Sequence, residues 1–215
     1  MRLGGRAGRL RVCAGMLVAA LATASGVAAA NEAAALADAV AEDYPVPRHG
    51  ELRLQVPAQW QVKYLYTEDG RVAPTFRVYP LEGSEFDMSM TVYWHEGMDQ
   101  DITSAESLRA RVEQAGAEAK RSSTDRHLAV VPLAGAPGPG FLYDLEDATA
   151  AAEDYRYLTQ GALAVGQLVV VFTILTDERP SPHRDACLEF LRSLRHIHAP
   201  HGVAAPVRPS RNPAL

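Results

Sequence analysis

Residues 168–175 read Leu-Val-Val-Val-Phe-Thr-Ile-Leu, an apolar run that does not alternate. Successive side chains of a strand point to opposite faces, so a strand that is apolar at both parities asks for cover on both sides. No other segment restricts the fold as strongly. It predicts a sheet with packing against each face, and the rest of the chain must supply that packing.

The flanking segments are consistent with this demand. Leu52, Leu54 and Val56 alternate with Arg53 and Gln55, and Trp60, Val62, Tyr64 and Tyr66 alternate after the turn Pro57-Ala58-Gln59. Glu68-Asp69-Gly70 is hairpin chemistry, a third strand covers 75–79, and Phe86, Met88, Met90, Val92 and Trp94 give the clearest two-residue period. The period then becomes helical. Thr103 with Glu106 matches a capping box, and Ala105, Leu108, Val112, Ala115 and Ala119 form one apolar stripe. Strands are predicted again at 127–133, 141–145, 155–164 and 168–176, with Gly135–Gly140 a loop and Gly166 a turn. Ser181 followed by Pro182 starts a last helix, predicted to run to about His196. Strands, helix, strands, helix with short connections predict an α+β fold, a mostly antiparallel sheet packed between helices in an α/β/α sandwich.

Residues 1–30 are read as a cleaved signal peptide. Arg2, Arg6, Arg9 and Arg11 precede an apolar stretch from Val12 to Val27, and Ala28-Ala29-Ala30 precedes Asn31. The stretch is shorter and less apolar than a spanning helix prefers, so export, to the periplasm, is the expectation and no membrane-spanning segment is expected in the mature chain. Residues 31–48 are an Ala-rich helical or linker segment stopped by Pro45 and Pro47, residues 49–198 form a single domain, and 199–215 form a Pro-rich disordered tail. Without the leader, Cys187 is the sole cysteine, so no internal disulfide or two-cysteine metal site is available. Its spacing with Phe190, Leu191 and Leu194 places it on the core side of the last helix. Loss of the four leader arginines takes the formal net charge from −5 to −9, a poor match for nucleic acid.

The opening strand 52–56 running into Pro57-Ala58-Gln59-Trp60, the single midway helix, and the closing 168–175 strand followed by Cys187-Leu188-Glu189-Phe190-Leu191-Arg192-Ser193-Leu194 resemble the PsbP-like superfamily, including the bacterial DcrB-like proteins. The resemblance covers residues 49–198. It implies an antiparallel sheet between helices and roles in binding and assembly without a shared catalytic centre. The similar positions are structural, so no functional residue is carried over.

Catalytic templates find little support. His95-Glu96-Gly97-Met98-Asp99 begins like a zinc-protease motif but has Asp99 in place of the second His. Asp99, Asp101 and Thr103 sketch half a calcium loop that lacks the sixth-position Gly and the twelfth-position Glu. No G-x-S-x-G elbow or S-x-x-K is present, and the Gly135–Gly140 loop has no Lys or hydroxyl placed for phosphate. His196, His198 and His201, spaced H-x-H-x-x-H, are the metal candidate; the alternative is histidines at the negative end of a helix dipole. Tyr64, Tyr66 and Tyr93 are the candidate partner surface, with most aromatics expected in the core. The expected function is an exported, non-catalytic binding or assembly module, with a protein or small ligand as its partner and no cofactor. The alternatives are an exported hydrolase with a spatially assembled Ser/His/Asp site and a metal-handling protein using the C-terminal histidines.

Overall fold

The computed structural model describes residues 38–67, 72–95 and 101–198. The leader, the Glu68-Asp69-Gly70 turn, Glu96 to Asp99, His201 and the Pro-rich tail lie outside them. The described residues form ten strands and two α-helices: β1 Val40–Pro45, β2 Glu51–Val56, β3 Trp60–Leu65, β4 Thr75–Pro80, β5 Phe86–Tyr93, α1 Ala105–Ala119, β6 Val131–Pro132, β7 Gly140–Glu146, β8 Tyr157–Val165, β9 Leu168–Thr176, α2 Pro182–Ser193 and β10 Arg195–Ile197. The fold is α+β and every strand pairing is antiparallel.

The strands form two sheets. Seven run in the order β3-β4-β5-β9-β8-β7-β6, and three run β1-β2-β10. β9 therefore occupies the middle of the larger sheet, with Met90 opposite Phe172 on one side and Gly161 opposite Phe172 on the other. Buried residues fall into two clusters that follow strand parity. Val170, Phe172 and Ile174 pack with Leu52, Leu54, Met88, Met90 and with Phe190 and Leu191 of α2. Val169 packs with Tyr143, Leu145, Ala162 and with Leu108 and Val112 of α1. The double-sided demand of 168–175 is met in full at Leu168–Val170; Val171, Thr173 and Leu175 are half-buried. Of the second-parity residues on β3 to β5, Lys63, Leu65, Arg77, Ser89 and Tyr93 are exposed and Asp87 is half-buried.

Four local expectations need correction. Residues 40–45 of the predicted helical segment form a strand, because pairing with β2 satisfies their backbone groups more completely than a short Ala-rich helix ending at prolines would. The N-cap of α1 is Ser104, whose hydroxyl accepts from Ser107 N at 3.2 Å. Thr103 instead gives its N–H and Oγ1–H to Asp101, an Asx turn that shifts the cap by one residue. The buried stripe of α1 is Leu108, Val112 and Gly116, with Ala105 and Ala115 exposed. Gly116 is needed there because a Cβ would meet Leu128 at 2.8 Å and Tyr143 at 3.1 Å. Only Val131 and Pro132 of the predicted 127–133 strand pair, the proline having no N–H for a longer ladder.

Helix α2 begins as predicted, with Ser181 accepting from Arg184 N at 3.3 Å and proline in its first turn. It ends at Ser193, three residues early. Leu194 takes an extended backbone (φ −56°, ψ 140°) and is fully buried, and the chain continues as β10. His196 thus sits opposite Leu52 on a strand, and the helix-dipole reading of the C-terminal histidines does not apply.

Candidate functional site

Four separate segments meet at one end of the larger sheet. The β1–β2 turn brings His49, the exit of β5 brings Trp94 and His95, the lead into α1 brings Asp101, Ile102 and Thr103, and the β8–β9 turn brings Gly166 and Gln167. They enclose a cleft of about 310 Å³. Each segment is held by local backbone chemistry. In the β1–β2 turn His49 N donates to Val46 O and Val46 N to Gly50 O, both at 2.8 Å, with Arg48 and Gly50 at positive φ. Gly166 has φ +61°, and a Cβ there would come within 2.8 Å of His196 Nδ1.

His196 ties two of these walls together. Its Nε2 lies 2.6 Å from the His49 carbonyl, and its Nδ1 lies 3.4 Å from Gln167 N. Because Nδ1 accepts from an N–H, the proton belongs on Nε2, which donates to His49 O. Burial holds this imidazole below its ordinary pKa; the His49 carbonyl bond opposes that effect and nearby His198 adds to it. Both ring nitrogens are engaged by the protein itself. His198 packs against it with ring centroids 4.2 Å apart and planes tilted by 50°, and His201 is outside the described residues. Among the described residues no group of three or more His, Cys, Asp or Glu is arranged to hold a metal ion.

The cleft has one firmly anionic group and one aromatic wall. Asp101 accepts from Thr103 Oγ1 at 2.7 Å and Thr103 N at 3.0 Å, and these bonds hold its carboxyl below the usual range. The Trp94 ring packs on His49 with centroids 4.7 Å apart and planes 37° from parallel, and it also packs against the main core. This combination offers charge and a flat apolar surface to a ligand, and among the described residues the hydroxyl that lines the cleft, that of Thr103, is spent on Asp101. Ser104 and Ser181 are occupied as helix caps, and Ser193 donates to Phe190 O at 2.6 Å.

Of the candidate tyrosines, Tyr64 and Tyr66 are brought together and Tyr93 is not. Tyr64 stacks on Phe76 (4.5 Å) and Tyr66 (4.9 Å), meets Tyr44 edge-on, and donates its hydroxyl to the Pro45 carbonyl. The contacts with Phe76 and Tyr44 belong to the main core, whereas Tyr93 has the opposite parity and is 47% exposed. Sequence pattern marks Thr103 as a helix cap and His95, Asp101 and Thr103 as fragments of incomplete metal motifs, and it marks neither His49 nor Gln167. A polar residue at each of several predicted turns was the available signal; which turns share an end of the sheet is set by strand order.

No helix among the described residues is long and apolar enough to cross a membrane. No protein-family model matches the chain, and no curated protein matches its sequence. In fold the chain resembles cyanobacterial PsbP (CyanoP) from Synechocystis sp. PCC 6803, whose solution structure it matches with a TM-score of 0.46 and 10% identity over 74% of this chain and 94% of that one.

Proposed function

We propose that this protein is an exported, non-catalytic binding module that holds a protein segment or small ligand in the cleft between Trp94 and Asp101. The convergence of four turns and strand ends on a single cleft carries this reading. A concave site with few polar groups and an aromatic wall is suited to holding a ligand. The signal-peptide pattern of residues 1–30 supports export to the periplasm. The separate clusters of Leu108 with Val169 and of Phe190 with Phe172 support the further reading of an α/β/α sandwich, a rigid frame for such a cleft.

The test is a screen of peptides and small molecules by amide and indole NMR shifts on the full chain. Ligands are expected to move the Trp94 indole, Thr103 and Gln167 signals together. Shifts that scatter over the surface, or covalent labelling of a serine by a fluorophosphonate, would overturn the binding reading. Protein recovered from cells with the Ala30–Asn31 bond intact would overturn cleaved export.

A further inference from the structure

The last strand ends at Ile197, and His198, the residue from which residues 199–215 continue, lies at the margin of the cleft. His196 touches the cleft walls through His49 O and Gln167 N, and His198 packs on His196. The segment that follows differs in charge from residues 31–198. It contains Arg208 and Arg211 and no acid, so of the −9 on residues 31–215, residues 31–198 carry −11. It also contains Pro200, Pro206, Pro209 and Pro213, a composition that favours extended polyproline II conformers, which lose little entropy on docking against aromatic rings.

From this juxtaposition we propose that residues 199–215 are an intramolecular occupant of the cleft, seating a proline against Trp94 and an arginine beside Asp101. The inference rests on the cleft being a binding site and adds its regulation: an outside ligand must displace the chain's own cationic, proline-rich segment. Reach does not limit it. Arg208 lies ten residues beyond His198, and a flexible stretch of that length spans roughly 17–19 Å root-mean-square. Tethering at such a distance gives an effective concentration of order millimolar, enough to populate a weak contact. A guanidinium fits both features, since it pairs with a carboxylate and stacks on an indole face.

The test uses the full chain and a double variant, Arg208→Glu with Arg211→Glu. The variant is expected to shift the Trp94 indole, Thr103 and Gln167 signals relative to the parent protein. A synthetic peptide of residues 199–215 should then bind the variant at least about threefold more tightly than it binds the parent, whose own segment competes. Asp101→Asn, which keeps the oxygen that accepts from Thr103 and removes the charge, should weaken the peptide in both backgrounds. Unchanged cleft signals in the double variant, or equal peptide affinity for the two proteins, overturns the inference. If unrelated ligands still move the same three signals, the binding role stands and only the internal occupant is lost.

Discussion

Arg184 shows how one side chain joins elements distant in sequence. From the first turn of α2 it places Nε and Nη2 at 2.8 and 2.7 Å from the two carboxylate oxygens of Asp144 on β7, and Nε also reaches Thr159 Oγ1 on β8 at 3.0 Å. Thr159, itself buried, donates to Asp144, and Arg184 Nη1 meets Asp185 at 2.9 Å. About a quarter of Arg184 and of Asp144 is exposed, so the charge-assisted bonds between them are partly screened yet still oriented. Arg184→Ala is expected to cost about 2 kcal/mol, read as a lower urea midpoint at unchanged m, with Arg184→Lys recovering only part because an ammonium cannot fork across a carboxylate. His196 gives a pH prediction at the same scale. Its native pKa is held below the unfolded value of about 6.5, so the unfolded chain takes up the proton first as pH falls. The stability His196 contributes is complete above about pH 6.5 and is lost as pH falls toward the lowered native value. Urea midpoints measured between pH 7.5 and 5 should therefore fall less steeply in His196→Asn than in the parent protein.

Elements were readable where their signal is local. The alternation of β2 to β5, the N-cap of α2 and the Gly166 turn each depend on residues close in sequence, and the structure follows them. The end of α2 was not readable, because no glycine or proline marks it. The helix stops where Leu194 turns fully into the core and the next three residues find β2, an event set by partners some 140 residues earlier. For the same reason sequence predicts helix where β1 forms: Ala-rich composition favours a helix, and only the available edge of β2 makes extended pairing the better option. Packing at this scale divides into two clusters, and that division is testable. Leu108→Ala on α1 and Leu191→Ala on α2 should each cost about 3 kcal/mol, and the double variant should equal their sum within about 0.5 kcal/mol because they share no partner. A coupling above about 1 kcal/mol in the denaturation cycle would show that the two clusters act as one core.

The whole molecule is held by apolar packing without a covalent staple among its described residues. Cys187 is fully buried in the main cluster, and burial pushes its thiol well above the ordinary value. The native protein should therefore resist an aromatic disulfide reagent until it unfolds globally, and reductant should leave its melting temperature unchanged. Reaction of Cys187 at a rate independent of denaturant would contradict that picture. The sequence alone determined the α+β class, the antiparallel pairing of neighbouring strands, the buried thiol and the two-sided burial of Leu168–Val170, since all of these depend on short-range periodicity and on hydrophobicity. Tertiary structure alone decided that the strands divide into two sheets, that His196 belongs to a strand, and that His49, Trp94, Asp101 and Gln167 share a cleft. Those facts depend on which distant strand edges find one another, and the energy of that choice resides in pairs of residues that no local pattern connects.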